Sequence, residues 1–302
     1  MNVLVTGGTG LIGSQLAQAL VSAGHQVIIL SRQDKGRLKN TWPQYDFVQG
    51  LNEIGADRTI DVVVNLAGQP LFDRPWTQKF KAIIEQSRLD TTDTLVQWIK
   101  EREQKPKKIL SGSAVGFYGD HHHRYIDEQS PGGNHFGAKL CQDWENIVFA
   151  AEHIGVSVSV LRTGIVLASQ GGALPRMALP FKFALGTNFG QGKQFWPWIH
   201  IDDQIAAMMF LLDHETLEGP FNLTAPNPVS NGEFGDTLAE VLGRPKFLPG
   251  LPGWAARLML GEAAELLLDS QRVMPQRLLE AGFQFKYPKL KPALEQLRAQ
   301  GF

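Results

Sequence analysis

The chain has 302 residues, 43% of them hydrophobic and 20% charged, which at this length is enough apolar content to bury a large core. Lys and Arg number 29 against 30 Asp and Glu, so the formal net charge of −1 gives no support to a nucleic-acid surface. No apolar run reaches membrane-spanning length, the first strand is expected to start at Met1, leaving no room for a leader, and one cysteine, Cys141, excludes an internal disulfide. A cytoplasmic protein is expected.

The first thirteen residues, MNVLVTGGTGLIG, are an apolar run broken by four glycines and followed by helical periodicity. They predict a strand, a tight turn and a helix from about Leu11 to Ser22. Gly7 allows the turn, Gly10 admits backbone N–H groups to a pyrophosphate, and Gly13 lets helix and strand pack closely. Phosphates then rest on the helix N-terminus, where free N–H groups and the helix dipole attract anions. Gly7, Thr9, Gly10, Leu11, Ile12 and Gly13 are therefore candidate dinucleotide-binding residues.

A strand over Gln26–Leu30 ends in Ser31 and Arg32, where an acidic residue would favour NAD. The Arg32 guanidinium matches a phosphate dianion in a bidentate way and the Ser31 hydroxyl adds a donor, so NADP(H) is expected over NAD(H). Asp34 stands close enough in sequence to neutralise Arg32 in part.

Further strands are predicted over Asp61–Leu66, Lys108–Ser113 and Ser157–Leu161, with helices at about Trp76–Gln86, Leu89–Glu103 and Phe136–His153. This alternation implies right-handed βαβ crossovers and an α/β, Rossmann-like, doubly wound parallel sheet. Ligands collect at the carboxyl ends of such strands, which singles out Leu66, Ala67, Gly68, Ser111, Ser113, Thr163 and Gly164. Arg162 reads as an ion-pair partner rather than a ligand. Consecutive histidines, His121 to His123, point apart and no further ligand set completes a site, so no metal is expected.

The pattern changes near Val166. Gly171–Gly172 and Gly186–Pro197 are loop-rich; Asp202 reads as the N-cap of a helix to about Leu212, and Gly219–Thr224 as one more strand. Beyond Pro226 the chain is mostly helical, with Ser230 as an N-cap, Gly243 as a stop and Pro275 near the start of a short helix. Residues 1–165, joined by 199–225, are expected to form the dinucleotide-binding domain. Residues 166–198 and 226–302 are expected to form a smaller, mostly helical substrate lobe.

The motifs TGGTGLIG (6–13), NLAG (65–68), SRL (87–89), SAVGFYG (113–119), RTG (162–164) and WIHID (198–202), with NGEF (231–234), QRVMPQRL (271–278) and YP (287–288), run through nearly the whole chain. On these motifs the chain resembles the extended short-chain dehydrogenase/reductase superfamily, in its atypical epimerase-family subgroup of the YfcH type. The resemblance implies a Rossmann domain that binds a nicotinamide dinucleotide and a C-terminal lobe that closes over a substrate cleft. It also implies that Ser87 and Arg88 lie close to the cofactor and that Thr163 and Gly164 pass its nicotinamide end. Trp198 and His200, together with Trp196, are expected to line the substrate cleft.

Reductases and epimerases of that superfamily use a Tyr-x-x-x-Lys pair on a helix and a serine at the end of the preceding strand. A phenol must exchange a proton near neutral pH, and a nearby ammonium favours its ionised form. Ser113 keeps the serine's place, but the residue four before Lys139 is His135, and the tyrosine is absent. Three readings stay open: His135 acts as acid/base beside Lys139, Tyr118 acts from the loop after Ser113, or no residue does. The expected function is an NADP(H)-dependent oxidoreductase or epimerase acting on a small carbonyl or alcohol. Its rival is a non-catalytic NADP(H)-binding protein that reports redox state.

Overall fold

The computed structural model describes residues 1–302. Seven strands make the central sheet: β1 (Asn2–Thr6), β2 (Gln26–Leu30), β3 (Asp46–Val48), β4 (Val62–Asn65), β5 (Lys108–Ala114), β6 (Ser157–Thr163) and β7 (Gly219–Leu223). Their spatial order is β3-β2-β1-β4-β5-β6-β7. All neighbours run parallel. The order reverses between β1 and β4, and a doubly wound sheet leaves a crevice at the carboxyl ends of strands that part in this way. Register sets Thr6 opposite Leu30 and Asn65, and Asn65 opposite Ser111, so these four residues stand at one level of the sheet.

The helices are α1 (Leu11–Ser22), α2 (Lys35–Thr41), α3 (Gln78–Glu101), α4 (Phe136–Phe149), α5 (Ala173–Lys182), α6 (Ile201–Asp213), α7 (Asn231–Leu242), α8 (Gly253–Leu260), α9 (Glu265–Leu268), α10 (Gln276–Glu280) and α11 (Leu290–Ala299). Because successive strand side chains alternate between faces, Val3, Val5, Val64 and Leu110 pack on Leu16 of α1 and Met208 of α6. That core runs on to Leu238 of α7 and Leu294 of α11. Leu4, Val63 and Ile109 face the other way, onto Leu95 and Ile99 of α3 and Val148 of α4. No helix is long and apolar enough to cross a membrane.

The predicted strands and the first helix lie where the pattern put them, and Ser230 and Gly243 cap α7, Gly243 at φ +65°. Four details differ. The two helices expected between Trp76 and Glu103 are one, α3, capped by Thr77. Ser87 does not break it, because its hydroxyl bonds back to Ile84 O at 2.8 Å, inside the helix. The helix expected to run to His153 stops at Phe149 and gives way to a short 3₁₀ turn. Asp202 is not the cap of α6; His200 is, its ring nitrogen accepting from Asp202 N at 3.0 Å. In the loop-rich stretch, α5 was hidden by Pro175 and Pro180, which the helix accommodates, Pro180 lying two residues from its end.

Candidate functional site

The glycine turn after β1 is built on close backbone approach. Gly7 has φ +69°, and a Cβ there would lie 2.6 Å from Leu66 O. A Cβ on Gly13 would collide with Gly7 O. The turn closes with Gly10 N donating to Gly7 O at 2.9 Å. Gly10 caps α1 without a side chain, and the N–H groups of Leu11, Ile12 and Gly13 meet no acceptor in the protein. An uncapped helix N-terminus at a sheet's switch point is a cradle for an anion.

At the end of β2, Ser31 Oγ accepts from Gln33 N at 3.2 Å, and the Gln33 amide reaches Thr9 Oγ1 at 3.3 Å, tying this loop to the glycine turn. Arg32 is exposed and makes no hydrogen bond or ion pair. Asp34 makes no ion pair with it and instead caps α2, accepting from Arg37 N at 2.7 Å. The guanidinium beside the glycine turn is thus left unpaired.

A buried polar network fixes the loop after β4. Thr6 Oγ1 donates to Asn65 Oδ1 at 2.8 Å and accepts from the N–H groups of Leu66 and Ala67 at 3.1 Å each. Asn65 Nδ2 donates to Thr92 Oγ1 and Ser111 Oγ, and Trp144 Nε1 also donates to Thr92. Ser111 is fully buried in this network, so the expectation that it touches a cofactor is corrected: its hydroxyl faces Asn65 inside the sheet. Ser87 Oγ accepts from Gln69 N at 2.9 Å. Arg88 donates to Gln69 O at 3.0 Å and Ile84 O at 3.2 Å, and lies 5.4 Å from the Trp144 ring. A Cβ on Gly68 would stand 2.9 Å from its guanidinium carbon. Arg88 has no carboxylate partner, and burial lowers its pKa.

The end of β5 holds the largest departure from expectation. Ser113 Oγ donates to Glu145 Oε1 at 2.6 Å. Glu145, on the sheet-facing side of α4, also receives Arg162 Nε at 2.9 Å and Nη2 at 2.8 Å. Arg162 stacks on Phe117 at 3.5 Å, and its Nη1 donates to the Tyr118 hydroxyl at 3.0 Å. Arg162 is thus the ion-pair partner its strand position predicted. Tyr118 in turn donates to Asn222 Oδ1 at 2.7 Å. It is 1% exposed, and burial pushes its pKa up to about 12. Tyr118 borders the cleft described below, but its hydroxyl is held by Asn222 and Arg162.

His135 and Lys139 both lie on the first turns of α4, His135 as its N-cap and Lys139 four residues on. His135 caps α4, with Nδ1 accepting from Ala138 N at 3.2 Å, while Nε2 lies 3.3 Å from Asp269 Oδ2. Asp269 raises the imidazole pKa against the opposing effect of burial. Nδ1 is taken by the helix cap, while Nε2 has the Asp269 carboxylate beside it but no hydrogen bond that satisfies it. The ring lines a cleft of about 480 Å³ with Gly119, His121, Gly133, Glu265 and Asp269. Lys139 is exposed on the solvent side of α4, with Asp143 and Asn146, whereas Cys141, Trp144 and Glu145 turn inward.

The aromatic wall is also corrected. Trp198 and Trp196 are buried, and His200 is completely so, with Nε2 2.9 Å from Gln296 Oε1 and its ring 4.0 Å from that of Tyr287. Burial lowers the His200 pKa. His200 thus joins the start of α6 to the C-terminal segment, and Trp196 and Trp198 pack in the core. Thr163 and Gly164 lie at the end of β6, where Gln204 donates to Thr163 Oγ1 at 3.4 Å and a Cβ on Gly164 would stand 2.7 Å from Pro197 O. Sequence reasoning passed over Glu145, Thr92 and Asn222. Glu145 had a signal: a carboxylate beside Trp144 in the apolar stripe of α4 is a buried charge in need of a partner.

A seven-stranded parallel sheet with a glycine cradle at its switch point defines a Rossmann-like α/β protein of the nucleotide-binding kind. The chain belongs to the NAD dependent epimerase/dehydratase family, whose model matches residues 3–223; a domain of unknown function, DUF1731, matches residues 251–297. An epimerase family protein of Staphylococcus aureus strain MRSA252 is 38% identical over 295 residues, covering 97% of this chain and 98% of the relative. One from Staphylococcus saprophyticus is 39% identical over 300 residues, with the same coverage. Among solved structures, the human epimerase family protein SDR39U1 (isoform 2), crystallised with NADPH, is 35% identical with a TM-score of 0.88, and 100% of each chain is covered.

Proposed function

We propose that the protein is an NADP(H)-dependent oxidoreductase or epimerase of the extended short-chain dehydrogenase type, acting on a small carbonyl or alcohol substrate. The observation that carries this reading is Arg32, an exposed guanidinium at the end of β2 that makes no ion pair and sits next to Gln33, which bonds to Thr9 of the glycine turn. An unpaired arginine there suits the 2′-phosphate that distinguishes NADP from NAD. The human relative, solved with NADPH, agrees with it.

The residues present fit such a cofactor. Gly7, Thr9, Gly10, Leu11, Ile12 and Gly13 would hold the pyrophosphate on free N–H groups, with Ser31 and Arg32 at the adenosine phosphate. Leu66, Ala67, Gly68, Ser87 and Arg88 would flank the middle of the molecule, and Thr163 and Gly164 the nicotinamide end. Bound nicotinamide supplies or accepts a hydride. Residues 1–165 and 199–225 serve the cofactor in this reading, and 166–198 and 226–302 the substrate.

Glu145 turns the Ser113 hydroxyl proton inward, so Ser113 offers lone pairs and suits a substrate hydroxyl better than a carbonyl. A second reading, a non-catalytic NADP(H)-binding protein, gains support from the Tyr118 hydroxyl, held by Asn222, and from His135 Nδ1, taken by the helix cap. Calorimetry tests the cofactor: Arg32→Ala should weaken NADPH at least tenfold more than NADH, equivalent to about 1.4 kcal/mol, and an equal loss for both refutes the assignment. Stereospecifically deuterated NADPH with a panel of carbonyl compounds separates the two readings. Label transfer identifies an enzyme, and its complete absence beside tight NADPH binding identifies the non-catalytic form.

A further inference from the structure

The large apolar side chains left open to solvent are concentrated in two segments. Leu179, Phe183 and Leu185 stand at the end of α5, and Phe247, Trp254 and Leu258 lie before and on the outer side of α8; Trp254 is 70% exposed and Leu258 81%. The two segments are joined by backbone bonds, Leu251 N to Asn188 O and Gly190 N to Leu251 O, each 2.7 Å. The chain after α5 and the chain before α8 therefore run side by side. A monomer rarely leaves so many large apolar groups together unless the surface binds something.

This surface continues to the cofactor cradle. Gly172, at the start of α5, rests on Leu11, where an added Cβ would lie 2.8 Å from the leucine Cδ2. Arg176 of α5 approaches Asp73 at 3.9 Å, in the loop that follows Gly68. On the far side of that loop, Leu260 and Ala263 pack with Leu71, Trp76 and Phe80. So α5, the 69–76 loop and the chain around α8 meet at one mouth.

Cations outnumber anions along this mouth: Asp73 faces Arg176, and Glu262 is taken up by Lys81 at 2.7 Å. Arg74, Lys182 and Arg257 are exposed and make no ion pair, and Arg176 makes only the long one to Asp73. Unpaired cations set among apolar side chains match a molecule with an apolar chain and an anionic group. Resting on the cofactor reading above, we propose that the substrate is such an amphiphile, a long-chain carbonyl or alcohol bearing a carboxylate or phosphate, which lays its chain across Phe183, Trp254 and Leu258. One molecule approaching the glycine cradle accounts for both the apolar surface and its continuity with the cleft.

The test uses cis-parinaric acid, a fluorescent long-chain carboxylate, titrated into the full chain with and without NADPH. Saturable binding of one equivalent is expected, weakened about tenfold or more by the paired change Phe183→Ser and Trp254→Ser, since each removes an apolar face that the bound chain would cover. Arg176→Ala with Arg257→Ala should weaken parinarate but not the matching long-chain alcohol. These are exposed side chains, so the heat of NADPH binding should stay unchanged and report an intact fold. No saturable binding, or equal binding by both paired variants, overturns the proposal. So does self-association in sedimentation, or binding to anionic vesicles in place of free parinarate, that the Phe183 and Trp254 changes abolish. Parinarate binding without any NADPH heat leaves the substrate class standing and sinks the cofactor reading alone.

Discussion

Ser113 Oγ donates to Glu145 Oε1 at 2.6 Å, and the same carboxylate holds Arg162 through two further bonds. The Arg162 and Glu145 side chains are 6% and 4% exposed, so each is the other's countercharge in place of water. Breaking a buried pair by removing one partner strands the other charge, and Glu145→Gln should cost about 3–5 kcal/mol in urea unfolding. The double change Glu145→Gln with Arg162→Met removes both charges and should cost less than the single one. A single-variant loss below about 1 kcal/mol would mean that the pair behaves as an exposed one.

Tyr118 should ionise only well above the usual range of a phenol. Burial raises its pKa from 10.0 to about 12. A phenol harder to ionise when folded stabilises the protein fully below its unfolded value and loses that contribution as pH climbs from 10 to 12. Ultraviolet titration should show one late step that disappears in Tyr118→Phe. That variant also deprives Asn222 and Arg162 of a partner and should lose about 1–3 kcal/mol.

Gly13 and Gly24 should answer very differently to alanine. A Cβ on Gly13 meets the backbone oxygen of Gly7, which the turn holds in place, so Gly13→Ala should cost about 1–3 kcal/mol and weaken NADPH binding. Gly24 has φ +83° but open space around it, so its alanine variant bears only backbone strain of about 1 kcal/mol and should leave NADPH binding intact. Thermal unfolding with calorimetry compares the two, and equal NADPH affinity in both variants contradicts the close-packed turn.

The His135 contact with Asp269 should depend on pH in one direction. The carboxylate at 3.3 Å raises the imidazole above its ordinary value of 6.5, outweighing burial; Glu265 adds to it. Its stabilisation is complete below the unfolded value and is lost as pH rises through the raised folded value. Asp269→Asn should therefore lose more stability at about pH 5.5 than at about pH 8.5. Proton NMR should find the His135 titration point lower in the variant. An unchanged titration point would show that Asp269 does not govern the ring.

The chain's own spacing determined the sheet, the glycine cradle and the place of Arg32. Strand alternation, helix periodicity and the turn needs of Gly7 act between residues a few positions apart, and each can be read locally. Even the ion-pair role of Arg162 followed from a cation at the end of an apolar strand. The fates of Ser113, Tyr118 and His200 were settled only by folding. Their partners Glu145, Asn222 and Gln296 lie 32, 104 and 96 residues away, across helices and sheet edges that no short-range pattern links. A hydroxyl or an imidazole looks the same in sequence whether it faces a ligand or a buried carboxylate. Burial and hydrogen bonding, which exist only once distant segments pack, decide between them.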